Sequence, residues 1–189
     1  MYKRQFIDSA ACFGLPEYRA AQTIIDMGTG AGFPGVPLAI LSPEKTFVLA
    51  DSLNKRLKII DELCQAIGIH NVKTVHGRAE DLGRAKDHRE KYDLCVSRAV
   101  ANLATLSEYC LPFVKRGGYM AAYKGADGEK ELAEATSAIR LLGGKFERWE
   151  KTPLDAVGEE HKILLVKKVN KTESKYPRKA GSPAKEPLK

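Results

Sequence analysis

The densest concentration of residues able to do chemistry is the run Asp26-Met27-Gly28-Thr29-Gly30-Ala31-Gly32-Phe33-Pro34-Gly35. Glycines at alternate positions let a backbone turn tightly and approach a ligand closely, since no Cβ stands in the way. The stretch from Gly30 to Gly35 also fits the dinucleotide fingerprint G-x-G-x-x-G, in which a pyrophosphate rests on a helix N-terminus. The frame D-x-G-x-G-x-G describes it better, because Asp26 stands two residues before Gly28, where a strand is expected to end. A carboxylate there disfavours an anionic pyrophosphate and suits a ligand with a cationic amino-acid end. S-adenosylmethionine has that character, with an ammonium, a sulfonium and no phosphate.

Three further points carry side chains suited to the same ligand. Asp51 follows an apolar run and can accept both hydroxyls of a ribose, which fits any adenosine-containing ligand. Gly77-Arg78-Ala79-Glu80-Asp81 offers backbone amides and a carboxylate to an adenine edge; its plainer reading is an acidic helix start that complements the helix dipole. Ser97-Arg98 leaves a fourth apolar run, and the Arg98 fork suits a carboxylate or phosphate, with a salt bridge as the alternative. His70, His76, His88 and His161 share no spacing. Cys12, Cys64, Cys95 and Cys110 form no C-x-x-C pair and no Cys/His ligand set, so they read as reduced, packed thiols and no metal site is expected.

Parallel strands joined by crossover helices would bring these points together. Apolar runs predict strands at 23–27, 46–50, 72–76, 92–96, 118–124, 146–149 and 162–166, with helices at 34–41, 55–67, 103–111 and 128–142. In the second helix Leu57, Ile60, Leu63, Cys64 and Ile67 form the expected apolar stripe, and Gly68 follows as a left-handed cap. Gly117-Gly118 is expected to turn the chain into the fifth strand. The last two strands lack a helix between them and should pair antiparallel at a sheet edge, joined through the polar segment 150–160. The fold class is α/β, a doubly wound seven-stranded sheet whose ligand lies outside the carboxyl ends of its central strands.

With 43% hydrophobic residues, the chain has enough apolar material for one domain, which excludes general disorder. It has no apolar stretch of membrane-spanning length and no signal-type core, so a cytoplasmic, reducing location is expected. Charge is uneven. Residues 167–189 carry +6 of the net +7, with three prolines and little apolar periodicity, and read as an extended basic tail suited to a polyanion. The expected organisation is an N-terminal helical segment (1–21), a catalytic domain (22–168) and the tail (169–189).

Several segments taken together resemble the RsmG/GidB family, bacterial small-subunit ribosomal RNA guanine-N7 methyltransferases. They are Arg4-Gln5-Phe6-Ile7-Asp8-Ser9, positions 26–37, Asp51-Ser52-Leu53-Asn54-Lys55-Arg56, Arg78-Ala79-Glu80, Ser97-Arg98-Ala99-Val100-Ala101 and Tyr176-Pro177-Arg178-Lys179-Ala180-Gly181-Ser182-Pro183. The resemblance implies a class I S-adenosylmethionine-dependent methyltransferase with a Rossmann-like sheet. It places Gly28 and Phe33 in the cofactor site, Ala79 and Glu80 at its adenine end, and Arg98 in the same pocket. With Asp26, Gly30, Gly32 and Asp51 from the reading above, these form the expected cofactor set. The implied partner is small-subunit ribosomal RNA or the assembling subunit, met by Lys175, Arg178 and Lys179 of the tail, and the chain is expected to be monomeric.

The sequence departs from the family at two points. Family members carry several dozen helical residues before the segment matching Tyr2 to Ser9, so 1–21 reads as the remnant of a longer helical region. Gln5 stands where the family commonly has histidine. A shortened front end predicts a chain that binds S-adenosylmethionine yet methylates poorly. No catalytic acid or base is expected, because guanine N7 has a lone pair and no proton to remove; alignment is the enzyme's task. That edge is closed off in a regular A-form helix, so the target base must lie in an irregular or opened region. Competing readings are a nucleotide-dependent oxidoreductase, a non-catalytic RNA-binding module and a small-molecule methyltransferase of the same fold.

Overall fold

The computed structural model describes residues 2–153 and 161–189. A helix α1 (Tyr2–Ala10), a 3-10 turn (Ala11–Gly14) and α2 (Pro16–Ala20) lead into β1 (Thr23–Met27). The chain then alternates through α3 (Gly35–Leu41), β2 (Thr46–Asp51), α4 (Asn54–Ala66), β3 (Val72–His76), α5 (Ala79–Leu82), β4 (Tyr92–Arg98) and α6 (Leu103–Cys110). It closes with β5 (Val114–Lys124), α7 (Gly128–Leu141), β6 (Gly144–Lys151), β7 (Lys162–Lys168) and α8 (Ser182–Lys185).

The described residues form one seven-stranded sheet in the order β3-β2-β1-β4-β5-β7-β6. β1 to β5 run parallel, while β7 is antiparallel to both β5 and β6. The antiparallel edge agrees with the missing crossover helix; of its expected connection 150–160, residues 154–160 lie outside those described. The strand order reverses between β1 and β4, and such a switch point opens a crevice at the carboxyl ends of the strands.

Alternation along the strands assigns each side chain to one of two cores. Ile25, Met27, Val48, Ala50, Cys95 and Met120 face α6 and α7 on one side. Ile24, Phe47, Leu49, Leu94, Val96 and Ala121 face α3, α4 and the N-terminal segment on the other, where Cys12, Leu15 and Tyr18 complete the layer. All four cysteines are free and buried. In α4, Leu57, Ile60 and Cys64 are buried, but Leu63 and Ile67 are 42% and 54% exposed. A helix advances 100° per residue, so Leu63 falls on the stripe's margin, while Ile67 is the cap residue past the helix end and leaves the helical path. Nor do Gly117 and Gly118 end a turn: β5 runs through them, with Gly117 at φ +86° and a register shift opposite Tyr92 to Leu94, the mark of a bulge.

The largest correction concerns the C-terminus. The segment after Lys168 does not extend into solvent: it folds back on the domain with Thr172, Tyr176 and Pro183 buried. Basic side chains from the body hold it by its carbonyls. Arg89 donates to the carbonyls of Thr172 (2.7 Å) and Tyr176 (2.8 Å), and Arg84 to that of Pro177 (2.8 Å). Lys168 is itself buried, and burial holds its ammonium down to about 8 while it donates to the Leu111 carbonyl and faces Glu90 at 3.4 Å. Polar composition suggested a free tail, but these long-range hydrogen bonds satisfy its backbone and leave it ordered.

Candidate cofactor site

The carboxyl ends of β1, β2, β3 and β4 border a cleft of about 360 Å³ lined by Gly28, Asp51, Ala79, Glu80, Val100 and Tyr109, among others. Gly28, Gly30 and Gly32 all take left-handed φ values, +74°, +60° and +90°. At Gly28 a Cβ would also stand 2.6 Å from Val100 Cγ2, so glycine there serves both conformation and close approach. Asp51 secures the loop from the neighbouring strand: its Oδ2 accepts from Gly30 N (2.9 Å) and its Oδ1 from Leu53 N (2.8 Å), with Arg56 3.7 Å away. The carboxylate therefore reaches the cleft already oriented by two amides.

Asp26 has a different part from the one expected of it. It is fully buried, its Oδ2 accepting from Thr29 Oγ1 (2.7 Å) and Gly35 N (2.8 Å), and it does not line the cleft. Strand parity explains this, since Asp26 shares a face with Ile24 and points beneath the loop toward α3. Its Oδ1 has no hydrogen-bond partner among the described residues. Burial pushes its carboxyl up to about 6, against the hydrogen bonds from Thr29 and Gly35 and the Arg98 charge. Gly32 likewise faces inward, where a Cβ would press on Val36 Cγ2 at 2.7 Å. Asp26 and Gly32 thus build the loop from beneath and are not among the residues that line the cleft.

Phe33 and Arg98 stand together beside the cleft. The Arg98 guanidinium lies 5.3 Å from the Phe33 ring centroid, Phe6 packs edge-on against Phe33, and Arg98 NH1 donates to Asp8 Oδ2 at 3.1 Å. Asp8 is buried, and His161 Nδ1 lies 3.3 Å from its other oxygen. Arg98 thus makes the salt bridge weighed as the alternative, but a largely buried one. It also lines a second cavity of about 480 Å³, with Asn102, Tyr123, Lys124, Glu131 and His161. Ala99 and Val100 border both cavities, and Ala99 takes φ +55°, a left-handed value that turns the chain sharply as it leaves β4. Tyr123 is buried and its hydroxyl donates to the Ser9 carbonyl.

At the far end, Glu80 opens α5, is 4% exposed and accepts from Gly181 N at 2.8 Å. Gly181 and Ala184, both from the C-terminal segment, line the cleft with Tyr109. Of the basic residues expected to meet RNA, Arg178 is withdrawn from that role. Its Nε and NH2 donate to Glu108 at 2.8–3.1 Å, its backbone N does so at 2.6 Å, and Glu108 is completely buried. Sequence reasoning missed Val100, Tyr109, Gly181 and Ala184. Val100 and Gly181 lay within quoted motifs that assign them no place in the cleft, whereas Tyr109 and Ala184 lay outside every quoted motif.

Comparison with known proteins agrees with this geometry. The family described as GidB, rRNA small subunit methyltransferase G, matches residues 1–156. The Ribosomal RNA small subunit methyltransferase G of Alkaliphilus oremlandii is 50% identical over 186 residues, covering 98% of this chain and 78% of that protein. The same-named protein of Clostridium novyi is 47% identical over 186 residues, covering 98% and 76%. Among solved structures, the S-adenosylmethionine-dependent methyltransferase SibL in its apo form superposes with a TM-score of 0.69 at 13% identity, over 90% of this chain and 57% of that one. M. jannaschii TYW2 in complex with AdoMet gives 0.60 at 14% identity, over 81% and 73%. At such identities the structural likenesses establish the fold alone, that of class I methyltransferases.

Proposed function

The chain belongs to the GidB family of rRNA small-subunit methyltransferases, and from that premise we propose that it methylates N7 of a guanine in small-subunit ribosomal RNA. The observation that carries this reading is the pair of adjoining cavities sharing Ala99 and Val100, one lined by Gly28, Asp51 and Glu80, the other by Arg98 and the ends of β4 and β5. The first fits S-adenosylmethionine: Gly28 leaves room beside Val100, the Asp51 carboxylate suits ribose hydroxyls, and Ala79 with Glu80 suits the adenine. The second is where the acceptor base enters.

S-adenosylmethionine supplies an electrophilic methyl on a sulfonium. This chain's residues supply alignment, and no proton has to be moved from N7. Asp51 and Glu80 are already accepting from backbone amides, and Asp26, despite its raised pKa, is sealed beneath the loop, so none of the three serves as a base. Arg98, braced by Asp8 and Phe33, fixes the wall between the cavities. Lys175 and Lys179 are the tail residues proposed to meet RNA phosphates. Lys175 is paired with Glu173 at 2.8 Å, but both are exposed and such a pair exchanges readily for a phosphate.

The test is incubation with labelled S-adenosylmethionine and small subunits lacking the modification, followed by nucleoside mapping. Label recovered as N7-methylguanine at one position is the expected result. Label at another atom, or RNA binding without transfer, contradicts the proposal. No described helix is long and apolar enough to cross a membrane, and no group of three metal-binding side chains occurs among the described residues. A monomeric, cytoplasmic protein remains part of the proposal.

A further inference from the structure

We infer that residues 178–184 form a wall of the adenosine site, fastened by the Arg178–Glu108 ion pair, so that this basic segment contributes to cofactor binding. The inference rests on the adenosine reading of the cleft. α6 presents Thr105, Glu108 and Tyr109, spaced i, i+3 and i+4 and therefore on one face. Thr105 Oγ1 donates to the Pro183 carbonyl (2.9 Å), Glu108 receives the Arg178 fork, and Tyr109 lines the cleft. Arg178 NH2 also donates to the Glu186 carbonyl at 2.8 Å, closing the segment on itself. Two consecutive anchors thus set Gly181 against Glu80 and bring Ala184 to the cleft's rim.

The chemistry is specific to one end of the ligand. Gly181 N–H donates to Oε1 of Glu80, and Glu80 lines the cleft, so its carboxylate can accept in addition from a ligand N–H such as the exocyclic amine of adenine. Without Gly181 the Glu80 carboxylate would be free to rotate. With it, the oxygen that meets the ligand is fixed beforehand, which reduces the ordering cost of binding. Gly181 holds φ +85°, a value that side chains rarely adopt, and this permits the sharp approach of its amide.

The test is titration of the full chain with S-adenosylhomocysteine. Ala184 is exposed, so Ala184→Trp should leave the unfolding midpoint unchanged and weaken binding by about fivefold or more. Arg178→Met should weaken it by about tenfold or more, and the double variant Glu108→Leu with Arg178→Met should regain stability without regaining affinity. Lys171→Ala, outside the wall, should bind as the unaltered protein does. Hydrogen exchange on the unaltered protein supplies a readout that needs no variant: the homologue should slow exchange across 178–184 as well as across the glycine loop. Folded variants that all bind within about twofold of the unaltered protein, or protection confined to the loop, overturn the wall. Failure of the unaltered protein to bind the homologue overturns the adenosine reading together with it.

Discussion

The glycine loop and the C-terminal segment border the same cleft, yet opposite devices hold them. The loop is organised chiefly by short-range hydrogen bonds to its own backbone and hydroxyl: the Asp26 carboxylate binds Thr29 and Gly35, three and nine residues on, and Asp51 of the next strand accepts from one loop amide. The C-terminal segment is organised at long range and by charge, with Arg178 on a buried Glu108 seventy residues earlier and Arg84 and Arg89 on its carbonyls. The buried acid of the loop is therefore held up to about 6, while that of the segment is neutralised by a bidentate partner. Backbone geometry secures one side of the site and an ion pair the other, so the two should fail differently.

The largest difference is expected from removing the ion pair. Arg178→Met leaves a carboxylate uncompensated in the interior and should lower the unfolding free energy by about 3–5 kcal/mol, measured in denaturant. A loss below about 1 kcal/mol would place Glu108 within reach of water and erase the contrast.

Next comes the pH response of the loop. The folded pKa of Asp26, about 6, lies above its ordinary 3.8, so between these values the native state keeps a proton that the unfolded chain has released. Stability must then fall as pH rises through this window, by about 2–3 kcal/mol in all. In Asp26→Asn that contribution should vanish, and difference curves between the two proteins should be flat above and below the window. An opposite slope would mean that Arg98 dominates burial.

Gly28→Ala probes the backbone side directly. The strained φ should cost about 1 kcal/mol of stability, and the collision with Val100 should weaken S-adenosylhomocysteine binding beyond that. Unchanged affinity would mean that the loop does not approach the ligand. The smallest effect is expected at the exposed lysines: replacing Lys175 and Lys179 by alanine should reduce the salt dependence of RNA binding by about one unit of slope each, leaving cofactor affinity untouched. An unchanged slope would leave the segment with its cofactor role alone.

The same contrast explains what could be read before the structure. The loop, the strand runs, the antiparallel edge and the cleft positions of Gly28, Asp51, Ala79 and Glu80 follow from residue type, period and neighbouring sequence, because their stabilising contacts are local or ladder-like. Asp26 was legible in place but not in direction, although its parity with Ile24 carries that information. The C-terminal segment resisted because a lysine-rich, proline-containing stretch has the composition of a solvated tail. Its order comes from partners 70 to 101 residues away, which no local pattern announces. The basic charge that suggested a nucleic-acid contact is divided in the folded chain: Lys168 and Arg178 turn inward to acids of the body, while Lys175 and Lys179 remain outside.

The measurement that tests the account most directly is calorimetric titration of the unaltered chain with S-adenosylhomocysteine and, separately, with NAD. One equivalent of S-adenosylhomocysteine bound and no heat from NAD is the predicted result, since the carboxylates of Asp51 and Glu80 at the cleft suit the ribose and adenine of the proposed ligand and oppose an anionic pyrophosphate. Binding of NAD without S-adenosylhomocysteine would contradict it.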